Sequence, residues 1–147
     1  MTPQACAEKC ATLMLAQDPA SRGLGMTLVS IAPGHAQMTM QVRADMVNGH
    51  GIAHGGYIFT LADSAFAFAC NTYNQVTVAQ QNQITYVSPG KVDETLTATA
   101  AEVSRSGRSG VYDVTVTGQD GRIVALMRGL SRSLGTPTFE DPQESPV

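Results

Sequence analysis

The stretch from Asn48 to Cys70, NGHGIAHGGYIFTLADSAFAFAC, limits what this chain can become more than any other part of it. It opens as a loop rich in Gly and His and continues, from about Gly55 to Tyr73, as a helix that is apolar on nearly every side. Such a helix must be surrounded by protein, so it predicts a core element with other structure wrapped around it. One carboxylate, Asp63, interrupts the run among Leu61, Ala62, Ala65 and Phe66. An isolated ionised carboxylate in apolar surroundings is costly unless paired. Asp63 is therefore either capped by nearby donors such as Thr60 or Ser64, or kept for chemistry.

The rest of the chain supplies the wrapping. Pro3 to about Gln17 reads as a short amphipathic helix ended by Asp18-Pro19, because the residue before a proline disfavours helical geometry. Gly25 to Ile31 is a first strand, closed by a Pro33-Gly34 turn. In the next run Ala36, Met38, Met40 and Val42 alternate with Gln37, Thr39, Gln41 and Arg43, the period of a half-buried strand. After the central helix come strands over Val76–Ser88, Thr95–Ser104, Val111–Thr117 and Ile123–Leu134, with Asp120-Gly121 as a hairpin turn. One long apolar helix with about six mostly antiparallel strands is an α+β layout in which the sheet curls around the helix. A chain of 147 residues needs only one domain. Residues 1–135 form it, and 136–147, TPTFEDPQESPV, with its prolines and acids, reads as a disordered tail.

Charge excludes one class of partner. The net charge is −3, and Glu140, Asp141 and Glu144 account for it, so the folded body is near neutral and lacks the basic stripe of a nucleic-acid binder. Only 14% of residues are charged, which suggests that a second subunit covers part of the surface. The three cysteines follow no disulfide spacing; Cys6 and Cys10 share a helix face without further ligands and are expected to pack. No leader signature and no spanning apolar run is present, so the reading is a cytoplasmic protein without membrane contact. His50 and His54 lie in a loop with no Glu after the first, no G-x-S-x-G elbow occurs, and neither type of Gly-rich phosphate loop is found. Neither metal nor cofactor is expected.

Two features of the central stretch carry chemistry. Gly55 and Gly56 at a helix start leave backbone N–H groups uncovered at the positive end of the dipole, a site suited to a developing oxyanion; equally, they would let the helix pack tightly against a strand. Asp63 lies eight residues on, about 12 Å along the axis at ~1.5 Å per residue. A reacting carbonyl must sit ~3 Å from both an oxyanion donor and the group that attacks it. If the two features cooperate, the donor comes from one subunit and the carboxylate from another, across a two-fold axis. Arg105 to Gly110, RSGRSG, is either a plain hairpin turn or a cleft mouth whose arginines meet a nucleotide phosphate.

The pattern N-G-H-x-x-x-H-G-G-x-x-F-x-L-A-D-x-A-F-A-x-A-C-N, followed by a strand ending in Pro-Gly and by G-x-x-x-G-V-Y-D, closely resembles the hotdog-fold acyl-CoA thioesterases of the PaaI type, over about residues 20 to 135. The resemblance implies a homotetramer built as a dimer of hotdog dimers, hydrolysing phenylacetyl-CoA or its ring-hydroxylated forms. It implies Gly55 N–H as oxyanion donor, Asp63 of the partner subunit as nucleophile or general base, and Asn48 and His54 as loop residues that orient the water or the thioester. Met46, Val47, Phe59, Phe66 and Tyr73 would wall an aromatic acyl group. Gly56, Gln80, Pro89, Gly90 and Arg108 complete the substrate-contacting positions. Several relatives carry Ser or Thr in the strand facing the carboxylate, where this chain has Ala79 beside Gln80 and Gln81. The competing readings are a hotdog enoyl-CoA hydratase or dehydratase using His54 with a carboxylate, and a non-catalytic acyl-CoA binding protein.

Overall fold

A computed structural model describes residues 1–142. Helix α1 (Pro3–Ala16) begins where the Thr2 hydroxyl accepts from Ala5 N–H, and proline occupies its first position, where no donor is lost. Asp18-Pro19 ends it as expected. The same Asp18 then caps a second, five-residue helix, α2 (Pro19–Gly23), through Ser21 N–H; the sequence reading treated that dipeptide only as a stop. The strands are β1 (Thr27–Ala32), β2 (His35–Gln41), β3 (Thr77–Tyr86), β4 (Thr95–Ser106), β5 (Ser109–Thr117) and β6 (Ile123–Ser133), and α3 (Gly55–Cys70) lies between β2 and β3.

All six strands join one antiparallel sheet in the order β1-β2-β4-β5-β6-β3. The β1–β2 hairpin turns at Gly34, whose φ of 69° suits glycine. The sheet curls around α3. Its inner face contributes Met38, Met40, Leu96, Ala98, Val114, Val116 and Val124, against Leu61, Ala65, Phe66 and Phe68 of the helix. The face of β2 predicted from alternation, Ala36, Met38, Met40 and Val42, is wholly buried.

Two details of α3 depart from expectation. It stops at Cys70 rather than Tyr73, because Asn71 turns back: its N–H and its side-chain amide both reach Ala67 C=O, and the amide also exchanges two hydrogen bonds with the backbone of Thr77. The helix is also not covered on every side. Gly56, Thr60, Asp63, Ser64 and Ala67 form a strip that the chain leaves partly or fully open.

Beyond β6 the chain folds back. Val76 N–H donates to Thr136 C=O, and the Asn74 side chain brackets Phe139, accepting from its N–H at 2.9 Å and donating to its C=O at 3.0 Å. The Lys9 ammonium sits 4.2 Å from the centre of the Phe139 ring. The remainder of the proposed tail, residues 143–147, lies outside the described residues.

Candidate active site

The N-terminal turn of α3 is built by its own loop. Asn48 forms the loop's pivot: its side-chain oxygen accepts from His50 N–H at 2.9 Å and Ile52 N–H at 3.4 Å, while its backbone N–H donates to Ile52 C=O. His54 is the N-cap, with Nδ1 accepting from Gly56 N–H at 2.9 Å. That acceptor role fixes the tautomer of the neutral imidazole, with its proton on Nε2. Gly56 N–H is thus used, whereas Gly55 N–H makes no hydrogen bond among the described residues. Of the two glycine donors, the uncapped one is Gly55.

Around Gly55 lies a groove of about 350 Å³ whose lining includes Asn48, Ile58, Tyr86, Pro89 and Gly90. Tyr86 was not anticipated. Its hydroxyl donates to Gly55 C=O at 2.9 Å, and burial raises its phenol above the ordinary value. A Cβ on Gly55 would come within 3.0 Å of the Tyr86 ring. The far wall is fixed by Ala53 N–H donating to Gly90 C=O and by Arg122, which bonds Pro89 C=O at 2.8 Å and the buried Glu94 carboxylate. The groove thus brings together four expected residues, Asn48, Gly55, Pro89 and Gly90, with His54 and Gly56 at the helix start beside it.

Asp63 belongs to a different place. It lies two turns along α3, on the open strip, and its Oδ1 accepts from the Asn82 side-chain amide at 2.7 Å. Neither expected capping donor serves it: the Thr60 hydroxyl goes to Gly56 C=O. Asn82 is the residue that the sequence hid. A polar residue in a strand that also holds Gln80, Gln81 and Gln83 carries no spacing signal, and only the strand's register against the helix sets it apart.

The other expected positions scatter. Met46 and Phe66 lie inside the chain: both are 0% exposed within it, with Phe66 packed against Tyr112, ring centres 5.5 Å apart. They are core, because the inward face of α3 and the segment before the loop meet the sheet there. Val47 and Phe59 are partly buried against that core. Gln80 is exposed at a bulge in β3, where Ala79 and Gln81 pair with successive residues of β6. Arg108 lies in the β4–β5 turn, a tight hairpin with Gly107 at φ 58°. It also borders a second cavity of about 320 Å³, with Cys70, Tyr73, Arg105, Ser131 and Ser133. That cavity is at the C-terminal end of α3, about 22 Å along the axis from Gly55.

At that end the titratable groups are mutually engaged. Glu102 accepts from Tyr73 at 3.1 Å and from Tyr112 at 3.2 Å. Arg105 lies over the Tyr73 ring at 3.4 Å and pairs with Glu102 at 3.5 Å. Burial, aided by the Glu102 charge and hydrogen bonds, pushes both phenols up. Burial also pushes the Cys70 thiol up to about 12.

Comparison with known proteins gives one answer. The Thioesterase superfamily matches residues 50–125. Acyl-coenzyme A thioesterase PaaI of Escherichia coli (strain K12) is 42% identical over 122 residues, covering 83% of this chain and 87% of the relative. The solved structure of the E. coli PaaI protein from the phenylacetic acid degradation operon superposes with a TM-score of 0.91 at 39% identity, covering 92% of this chain and 99% of that one. A Streptococcus mutans UA159 protein solved bound to acetyl CoA superposes with a TM-score of 0.73 at 33% identity, over 76% of this chain and 90% of the other.

Proposed function

The chain belongs to the thioesterase superfamily, and from that premise we propose that it hydrolyses acyl-CoA thioesters in a site shared between two copies of itself. Phenylacetyl-CoA or a ring-hydroxylated form is the substrate. That choice is supported by the relative from the phenylacetic acid degradation operon. The observation that carries the shared site is the separation of its two halves. The uncapped donor, Gly55 N–H, and the carboxylate, Asp63, are eight residues apart on one straight helix, too far to act on one carbonyl.

Two α3 helices running antiparallel across a two-fold axis bring Gly55 of one copy to Asp63 of the other. Three features support this pairing: the open strip that contains Asp63, the low share of charged residues in the chain, and the position of β3 at the sheet edge. A ten-residue edge strand presents unpaired backbone groups that a second copy can extend. Pairs of such dimers would make the tetramer. In the antiparallel arrangement the Arg108 hairpin of one copy approaches the groove of the other, and its guanidinium, with no ion pair among the described residues, meets a phosphate of CoA.

The reaction then runs as follows. Gly55 N–H, at the positive end of α3, holds the thioester oxygen, and Asp63 of the second copy takes a proton from water. The water oxygen attacks the carbonyl carbon and the electron pair moves to the held oxygen, where charge is stabilised without reorganisation. Collapse re-forms the carbonyl and breaks the C–S bond; the CoA thiolate takes the proton, leaving the free acid and CoA. Attack by the carboxylate itself would instead pass through a mixed anhydride. One turnover in ¹⁸O-water tests for the anhydride, since ¹⁸O enters Asp63 only when water opens an anhydride at the Asp63 carbonyl, and never in general-base attack. As a hydratase base, His54 would need a free nitrogen; its Nδ1 is committed to Gly56 N–H.

The test is complementation. Gly55→Pro and Asp63→Asn are each expected to lose on the order of 1000-fold in thiol release, and mixed subunits to recover about a quarter to a half of wild-type activity, from the one intact site in each heterodimer. Confirmed heterodimers without recovery would refute the shared site. A panel of aromatic and fatty acyl-CoAs compared by kcat/KM tests the substrate.

A further inference from the structure

Resting on the reading of Asp63 as the reacting carboxylate, we infer that Asn82 is its positioning residue and that Asp63 Oδ2 is the oxygen that does the chemistry. Asn82 is half-buried on β3, directly opposite Gly129 of β6. Its amide nitrogen donates to Asp63 Oδ1 at 2.7 Å, the short distance of a hydrogen bond to an ionised acceptor. The reverse amide orientation would set a carbonyl oxygen against the carboxylate, so the charge itself selects this one. With Oδ1 occupied, Oδ2 makes no hydrogen bond among the described residues.

The other end of the amide shows what this arrangement costs. Asn82 Oδ1 is buried with no hydrogen-bond partner, a situation that native structures avoid unless something offsets it. The fit is close as well. A Cβ on Gly129 would lie 2.8 Å from that oxygen and 2.9 Å from the Phe66 ring, so the amide occupies its place because β6 has a glycine there. A leucine at 82 would fill the same space without burying an unpaired acceptor. An amide that weakens the packing while grasping the one carboxylate of α3 is explained by what it does to that carboxylate. It holds the carboxylate plane still, so that Oδ2 points along the open strip toward a substrate held by the second copy. A displacement of about 1 Å at a reacting group is enough to cost roughly 100-fold.

The experiment measures thiol release and thermal unfolding on the full-length protein with phenylacetyl-CoA. Asn82→Leu is expected to lower kcat by roughly 10- to 100-fold, to leave KM within about twofold, and to melt near the wild-type temperature, because removal of an unpaired buried acceptor offsets the lost hydrogen bond to Asp63. Asn82→Ala, which fits whatever the space, should show the same split between kcat and KM. If kcat is unchanged in both, or falls only together with the melting temperature, or if neither variant folds, Asn82 is a structural residue and the inference is wrong. Asp63→Asn is run beside them. Full turnover there would overturn the reading of Asp63 itself; an inert Asp63→Asn beside a fully active Asn82→Leu would overturn the role of Asn82 alone.

Discussion

The two ends of α3 are built on opposite principles. At the N-terminal end Gly55 offers a backbone donor with nothing bound to it, beside an open groove, and the groups around it leave that donor exposed. At the C-terminal end nearly everything is paired: the Asn71 side chain makes hydrogen bonds to both Ala67 and Thr77, and Glu102 collects two phenols and a guanidinium. One helix is thus left unfinished at the end proposed to meet a substrate and saturated at the end that holds the sheet. Substitutions at the first end should move turnover and spare stability; those at the second should do the reverse.

The largest effect expected at the open end is that of Gly55→Pro described above, with only a modest loss of melting temperature: proline is tolerated in the first turn of a helix, and the Tyr86 ring, 3.0 Å from a Cβ at this position, must shift slightly to admit it. A large loss of stability instead would show that Gly55 is there for packing. At the saturated end, Asn71→Ala should cost about 2 kcal/mol in denaturant unfolding, since it strips the backbone N–H and C=O of Thr77 of their side-chain partner, with kcat retained at low temperature.

Alkali should attack the saturated end as well. The Cys70 thiol, up to about 12, and the Cys10 thiol, up to about 11, keep protons in the folded state that the unfolded chain releases from about pH 9. The buried phenols of Tyr112 and Tyr73 are raised in the same direction. Stability should therefore be flat below pH 9 and fall as pH rises from there toward 12, by about 1.4 kcal/mol per pH unit for each such group. Unfolding curves at pH 8 to 11 check this, and Cys70→Ala should flatten the decline. At the open end His54→Ala is the exception: it removes the cap of α3 and should cost about 1 kcal/mol. The smallest effect belongs to neither end: on the outer sheet face Arg128 grips Asp113 through two hydrogen bonds and lowers its pKa. Both side chains are about half exposed, so Asp113→Asn should barely move the melting temperature. What it does move should be present at neutral pH and vanish as pH falls through the lowered carboxyl value.

Much of this was legible in the residues. The apolar helix, the alternation of Ala36 to Val42 and the turns at Gly34 and Gly121 follow from local chemistry, and local chemistry is what a sequence displays. The glycine pair and the lone acid were visible for the same reason, as was the distance between them, since a helix has a fixed rise; that Gly55 is the uncapped member of the pair was not, because it depends on where the His54 ring turns. What stayed hidden depends on which strand lies beside which. β3 follows α3 in the chain yet pairs with β6, so nothing near Asn82 in sequence announces that it faces Asp63. Tyr86 reaches Gly55 across the same gap. Phe66 and Met46 were read as pocket walls because apolar residues near a site look alike until the sheet's curvature decides which are enclosed.

The place of β3 in the sheet also orders events in time. Among the described residues its only strand partner is β6, so during synthesis β3 must wait, unpaired, until some fifty further residues have left the ribosome. The hydrogen bond from Asn82 to Asp63 depends on that strand being seated, and it belongs to the closing steps of folding. A nascent or truncated chain that lacks β6 would contain the carboxylate and the glycine, yet leave Asp63 unheld. On the proposed mechanism, completion of the sheet and readiness for catalysis are a single event.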